Sequence, residues 1–145
     1  MPVLIRQFLL KAPPDAVWAQ LAAPERWPGF VRHLKQARWS GEAVSDGDRS
    51  VDIAASYRGL LGWSGQMGCR YDPDGREVRV WQTSNPVVEA SGRLRVRAGA
   101  NGCTLVRIEA EYRPLSPLAG LVVAAKLDGF LDRTARALEA AALTG

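Results

Sequence analysis

The sequence is poor in the residues that metal sites, redox sites and nucleophilic active sites usually need. His33 is the single histidine, which excludes a histidine-based metal site and a two-histidine mechanism, and it is interpreted as a surface or strand-edge residue. Cys69 and Cys103 have no metal-ligand spacing and are expected to be small, unbridged residues of the interior. Phosphate loops, G-x-S-x-G elements and dinucleotide fingerprints are also missing, so no cofactor and no metal are expected.

Long apolar segments are missing as well. No apolar run reaches the roughly 20 residues that a membrane-spanning helix needs. The N-terminus has neither the basic region nor the cleavage pattern of a signal peptide, so we expect a cytoplasmic protein without stable membrane insertion. A length of 145 residues fits one domain, 1–145. The net charge of +4 permits an anionic partner but does not require one.

Alternation of apolar and polar residues dominates the middle of the chain. It begins with a strand predicted at 31–39 and continues, after a turn predicted at 46–48, in strand-length segments up to residue 113. Asp72-Pro73-Asp74-Gly75 is the strongest turn signal. No helix-length segment interrupts residues 42–113, which excludes parallel crossovers and predicts an antiparallel sheet with one apolar face.

The segment 116–143 is the clearest helix, starting at a typical Ser-Pro pair. Its second half is apolar on one side and charged on the other, with Asp128 and Glu139 on the charged side. Its first half is apolar all round because of Leu118, Leu121 and Val122. These residues either line a cavity mouth, pack under the bend at 25–30, or form a homodimer contact. Because no other element is long enough to cover the sheet, we predict an α+β helix-grip fold. It comprises about six to seven curved antiparallel strands and two short helices after the first strand.

Five short motifs occur in an order and spacing that resemble a known superfamily. They are APPDAVW at 12–18, ERWPGF at 25–30, YDP at 71–73, GCTLV at 102–106 and YRP at 112–114, just before the long helix. Together they resemble the START-like (SRPBCC) superfamily, within it the polyketide cyclase/dehydrase and lipid-transport-like group. The resemblance implies a Bet v 1-like fold with a mostly apolar cavity between the sheet and the C-terminal helix. Some members of this group carry a ligand, whereas others catalyse cyclisation or dehydration.

The inner face of the sheet and the facing side of the helix form the predicted ligand site. Most of its expected members are apolar, and Tyr57, Gln82, Thr104 and Tyr112 supply polar groups to orient a ligand. Taken singly, each residue has core packing as its commoner role. The predicted lining is Tyr57, Trp63, Met67, Val80, Gln82, Leu94, Val96, Thr104, Val106, Ile108, Tyr112, Val123, Leu127 and Phe130.

Two functions fit these residues. The favoured one is binding or transport of a hydrophobic small molecule (a lipid, polyketide or quinone-like compound), because no acid/base pair shares the inner face. The alternative is a polyketide cyclase/dehydrase that acts by positioning its substrate. For that alternative, Tyr57, Tyr112 and Arg6 are the catalytic candidates. Arg6 would hold a carboxylate or stabilise an enolate if it points inward.

Arginines and glutamates share the opposite side of the predicted strands. One interpretation is a surface for nucleic acid or anionic lipid headgroups. We favour a solvated face without a nucleic-acid partner, because Glu89, Glu109 and Glu111 are interleaved and no exposed aromatic residues accompany them. The arginines concerned are Arg79, Arg93, Arg95, Arg97 and Arg107.

Overall fold

The computed structural model describes most of the chain, and its elements follow the predicted order. Residues 3–32, 34–40, 48–57, 61–82, 88–114 and 117–144 are described, with backbone alone at 48, 55–57, 61–66, 82, 88–90, 114 and 117–125. The helices are α1 (Pro14–Leu21) and α2 (Pro117–Thr144), with 3₁₀ turns at Pro24–Gly29 and Ala100–Gly102. The strands are β1 (Val3–Leu10), β2 (Leu34–Trp39), β3 (Asp48–Tyr57), β4 (Leu61–Asp72), β5 (Glu77–Gln82), β6 (Val88–Ala98) and β7 (Thr104–Pro114).

The predicted α+β helix-grip architecture is confirmed. The described strands form one seven-stranded antiparallel sheet in the order β1-β7-β6-β5-β4-β3-β2. The long helix α2 packs against α1, β1 and β7. No helix in the described part of the chain combines the length and apolar composition needed to cross a bilayer.

One predicted boundary is wrong, because β2 begins at Leu34 rather than at residue 31. The backbone N–H groups of Phe30 and Val31 both donate to the Trp27 carbonyl, at 3.1 and 2.8 Å, which extends the 3₁₀ turn beyond Gly29. A residue held in such a turn is not available to the strand ladder. His33 and the turn predicted at 46–48, apart from Asp48 at the start of β3, lie outside the described residues.

The β4–β5 connection is fixed by its own side chains. One Asp72 carboxylate oxygen accepts hydrogen bonds from the backbone N–H groups of Asp74 and Gly75, both at 3.1 Å. This is the local contact that makes Asp a good turn residue. Arg76 follows with a left-handed φ of 50°, and its guanidinium pairs with Asp15 at the start of α1. The turn is thereby attached to the first helix.

Helix α1 closes one end of the space between the sheet and α2. Leu10 and Val17 are fully buried there, and the indole of Trp18 stacks on Tyr71 with ring centroids 4.9 Å apart. Trp27 packs beside them and donates its indole N–H to the Leu21 carbonyl at 3.0 Å. We call this region the closed end. Both cysteines are free; Cys69 is buried as expected, whereas Cys103 is only half-buried.

Carboxylates of α2 bind the edge strand β1, although the sequence pattern placed them on the solvent side of the helix. Asp128 accepts a hydrogen bond from Arg6 Nε at 2.7 Å, and Glu139 accepts one from the Lys11 backbone N–H at 2.8 Å. A free strand edge exposes unpaired backbone groups. The Glu139 contact partners a backbone N–H one residue beyond β1, the Asp128 contact partners a side chain of β1, and both attach α2 beside this strand.

Gly68 is predicted to tolerate no side chain. A β-carbon at this position would lie 2.1 Å from Cε2 of Trp81, whose indole lies across the glycine on the outer face. Gly68→Ala must displace the indole, so we expect a loss of about 1–3 kcal/mol in the free energy of unfolding, measured by urea denaturation. Gly92→Ala is the matched control, because its β-carbon would be 3.7 Å from Val80, an ordinary contact. Equal stability of the two variants would contradict the packing described.

Candidate functional site

Burial of the inner face is uneven, and the unevenness defines the candidate site. Val96 and Val106, near the closed end, are 3% and 0% exposed. Leu94 and Val80, further from that end, remain half-buried although they share the inner face with the core residue Val78. Apolar side chains on a face that a helix covers are normally buried completely. Their partial exposure leaves the central strands incompletely covered, and we call the space in front of them the hollow.

The half-buried residues form one continuous surface. Val80 is opposite Gly92, which is in turn opposite Ala110, so the surface crosses β5, β6 and β7 in register. Helix α2 contributes two half-buried side chains from the facing side. We call this surface the inner patch; its members are Leu4, Met67, Val80, Gly92, Leu94, Ala110, Tyr112, Leu127 and Phe130.

The structure divides the predicted site residues into three groups. Ile108 is 4% exposed and lies directly opposite Leu94 on the same face. The predicted residues that lie in the inner patch are Met67, Val80, Leu94, Tyr112, Leu127 and Phe130. Val96, Thr104 and Val106 are buried at the closed end. The side chains of Tyr57, Trp63, Gln82 and Val123 lie outside the described residues, so their part in the site stays a prediction.

Thr104 is placed in the interior of the protein and is not part of the inner patch. Its side chain is fully buried, and its hydroxyl donates to the Ala12 carbonyl at 2.6 Å. That bond satisfies the backbone of the segment that enters α1. Val96 and Val106 are opposite each other on the inner face, next to the Leu94–Ile108 pair, and both are buried in the core.

Arg6 is also placed differently from the catalytic role considered for it. It shares the side of Leu4 and Phe8, but its Nη1 donates to the Ile5 carbonyl at 3.0 Å and its Nε to Asp128. Its side chain is 43% exposed. Both the charge and the donors are therefore engaged at the rim between β1 and α2, so Arg6 is a tether rather than a free cation within the site.

Tyr71 is a polar residue of the inner face that sequence reasoning did not include. Tyr71 follows Met67 and Cys69 at every second position of β4. This alternation is the sequence evidence by which it could have been included. Burial raises the pKa of its hydroxyl above the ordinary value of 10.0, and the neighbouring Cys69 raises that pKa further. The half-buried phenol lies beside Trp18 and stays neutral at physiological pH.

The raised pKa of Tyr71 predicts a pH dependence of stability. The folded protein holds the proton of this phenol more tightly than the unfolded chain does. The protonated phenol therefore contributes to the free energy of unfolding, and this contribution is complete below pH 10 and is lost as pH rises through the folded-state pKa. Tyr71→Phe should therefore show a shallower loss of unfolding free energy above pH 10 than the parent, measured by urea denaturation across pH. Parallel curves for the two proteins would contradict this assignment.

Thr104→Val tests whether this hydroxyl is structural. The variant keeps the shape but leaves the buried Ala12 carbonyl without its donor, so we expect a loss of about 1–3 kcal/mol. Thr104→Ser keeps the hydroxyl and should be less affected. Thermal unfolding measures both. Reduced ligand affinity in Thr104→Val with unchanged stability would restore Thr104 to the site.

Comparisons with known proteins agree with this fold. The sequence model of the family described as polyketide cyclase/dehydrase and lipid transport matches residues 4–142. No curated protein matches the chain. Similar solved structures include ZhuI aromatase/cyclase from Streptomyces sp. R1128, with a TM-score of 0.83 at 16% identity over 97% of this chain and 93% of that one.

Two further structures extend the comparison. A START superfamily protein from Mycobacterium smegmatis has a TM-score of 0.77 at 16% identity, covering 98% of this chain and 97% of that one. The di-domain aromatase/cyclase BexL from the BE-7585A biosynthetic pathway has a TM-score of 0.80 at 21% identity over 96% of this chain. The chain spans 45% of the length of BexL. At these identities the likeness shows the shared fold.

Proposed function

The chain belongs to the polyketide cyclase/dehydrase and lipid-transport family, and from this membership we propose that it binds and carries a hydrophobic small molecule. The observation that supports the proposal is the inner patch, an apolar surface that faces α2 and remains half-buried. Membership alone does not decide between carrier and enzyme, because the family description includes both.

The chemistry of the inner patch indicates the class of ligand. Its members are hydrocarbon side chains, a thioether, a glycine and one phenol, so a charged ligand would lose its hydration there without compensation. Tyr112 within the patch and Tyr71 beside it offer hydroxyl groups. A mainly apolar compound with one or two hydrogen-bonding groups fits such a site, as in a lipid, a polyketide or a quinone-like molecule.

Carriage is favoured over catalysis by the charges around the site. General acid–base catalysis needs a group that titrates near the working pH within reach of the substrate. Glu109 and Glu111 lie on the outer face, and Arg6 is paired with Asp128. The half-buried phenol of Tyr112 is the observation that keeps the cyclase/dehydrase alternative, in which the protein positions its substrate.

Other expectations about partners remain predictions. The side chains of Leu118, Leu121 and Val122 lie outside the described residues, so the homodimer contact through the start of α2 is a proposal of the sequence alone. A cytoplasmic location and the lack of a nucleic-acid partner are likewise proposals from the sequence alone.

Binding of the neutral fluorescent probe N-phenyl-1-naphthylamine tests the proposed function. Val80→Phe adds a ring inside the hollow, so we expect a rise of about tenfold in the dissociation constant, or about 1.4 kcal/mol. Val3→Phe is the matched control, because Val3 lies on the outer face and is 51% exposed. Its affinity should equal that of the parent.

Two results would contradict carriage in the inner patch. One is an absence of saturable probe binding to the parent protein, and the other is equal affinity of Val80→Phe and Val3→Phe. Circular dichroism checks that both variants are folded. Ala110→Leu, which fills the hollow from β7, replaces Val80→Phe if the latter does not fold.

A further inference from the structure

Strand β1 forms one edge of the sheet, and its outward side chains are mostly apolar and exposed. Val3, Ile5 and Leu9 are 51%, 45% and 56% exposed, and Gln7 between them is exposed as well. Among the described residues, Leu143 is the only other large apolar side chain exposed to this degree. The exposed apolar surface of the described chain is therefore concentrated on one face of one edge strand.

The backbone groups of the same residues point away from the sheet. Alternate residues of an antiparallel strand bond to the neighbour on one side, and the residues between them face the other side. The Gly99 N–H donates to the Cys103 carbonyl, so odd-numbered residues of β7 bond to β6 and even-numbered ones to β1. The register places even residues opposite even residues, for example Val106 opposite Phe8. The odd-numbered residues of β1 are left for the free edge.

Two side-chain contacts agree with this orientation. The Ile5 carbonyl accepts a hydrogen bond from the Arg6 side chain, and the Lys11 N–H donates to Glu139 of α2. Within the described part of the chain, the other edge-facing backbone groups of β1 have no hydrogen-bond partner. A further strand can therefore add to this edge without displacing an existing bond.

The opposite edge of the sheet is protected, whereas the β1 edge is not. Natural edge strands avoid pairing with other chains by means of bulges and charged side chains. β2 has both devices, because its register shifts just before Gln36, and Lys35 and Arg38 are exposed. β1 pairs with β7 without a shift along its whole length, and its single charge, Arg6, is neutralised by Asp128. The β1 edge is thus suited to pairing with another strand.

We propose that two copies of the chain pair through their β1 strands, antiparallel about a two-fold axis at Gln7, into one continuous sheet with seven strands from each copy. In this register Ile5 is opposite the partner's Leu9, so the exposed apolar side chains of one copy cover those of the other. One strand from each copy makes a small interface, and a weak, concentration-dependent dimer is therefore expected.

The position of the axis follows from the residues of β1. An axis at Arg6 would place two guanidinium groups directly opposite each other, which is destabilising. An axis further towards the start of the strand would place Leu9 beyond the end of the partner's β1. An axis further towards its end would need a backbone N–H that Glu139 already binds. Gln7 at the axis avoids all three conflicts.

Charges near the two ends of β1 favour a second copy as the occupant of this edge. Lys11 is exposed and follows the strand, and Glu111, directly opposite Val3 on β7, is exposed as well. Neither side chain has an ion pair within the residues that the structure describes. With the axis at Gln7, the partner's Lys11 is opposite Val3 and two strand spacings, about 10 Å, from Glu111. Lysine and glutamate side chains span that distance, so the two-fold brings together opposite charges at both ends of the interface.

Sedimentation velocity over a concentration series tests the dimer. The parent should shift from monomer to dimer as its concentration rises. Ile5→Lys and Leu9→Lys place charges opposite apolar side chains of the partner, so each should raise the dissociation constant by about tenfold or more. Leu143→Lys is the matched control, because Leu143 is exposed at the end of α2 and should dimerise like the parent. Circular dichroism checks that the variants are folded.

Disulfide cross-linking tests the register. In Gln7→Cys the two thiols are on directly opposed residues with Cα atoms about 5.5 Å apart, a distance that a disulfide spans. Ile5→Cys is the matched control, because its two copies are offset by about 13 Å along the strands. Mild oxidation should give a covalent dimer of Gln7→Cys on a non-reducing gel. Neither Ile5→Cys nor the parent, in which Cys69 is buried and Cys103 half-buried, should do so.

Three results would overturn the proposal. They are a parent that stays monomeric at every concentration, equal dissociation constants of Ile5→Lys and Leu143→Lys, and equal cross-linking of Gln7→Cys and Ile5→Cys. A monomeric parent would leave the edge to an extended segment of another protein. Equal dissociation constants would place the contact elsewhere, as at the start of α2. The substituted side chains point away from the inner patch, so the carriage proposal stands or fails separately.

Discussion

One long helix has to cover the apolar face of a seven-stranded sheet, and it leaves part of that face uncovered. The organisation of the molecule depends on this incomplete cover. Helix α2 packs on α1, β1 and β7, and its carboxylates bind Arg6 of β1 and Lys11, the residue after that strand. At the closed end, α1 supplies the missing cover, and the core there is fully buried. In front of the central strands, apolar side chains remain half-buried, and this incomplete cover is the basis of the candidate site.

The two faces of the sheet separate two kinds of chemistry. The inner face offers apolar surface and a few phenols, which suit a hydrophobic ligand. On the outer face, Glu77 pairs with Arg93 and Arg95, and Glu109 pairs with Arg107. Because side chains alternate between faces, each strand contributes to both surfaces without conflict.

Sequence periodicity predicted the fold well because alternation alone decides which face a strand residue occupies. It placed Met67, Val80 and Leu94 on the inner face, together with Thr104. Alternation does not indicate the distance between a strand residue and α1. Thr104 contacts Ala12, which is 92 residues away in sequence, so its structural role depends on tertiary packing.

The same limitation applies to charges. Arg6 alternates with apolar residues and is an inward candidate by pattern, but its partner Asp128 is 122 residues away. The placement of Arg79 opposite Arg93 depends on the register between β5 and β6, which brings together residues that are not adjacent in sequence. The start of β2 was misplaced because hydrogen bonds to Trp27 extend the preceding 3₁₀ turn.

Native mass spectrometry tests the central claim, that the hollow between sheet and α2 holds a hydrophobic small molecule, most directly. The protein is measured as freshly purified and again after incubation with a lipid extract, and any adduct is identified by organic extraction. The account predicts a one-to-one complex with an apolar compound, and a smaller fraction of that complex in Val80→Phe. Bare protein mass in both samples, or an adduct that Val80→Phe retains in full, would contradict it.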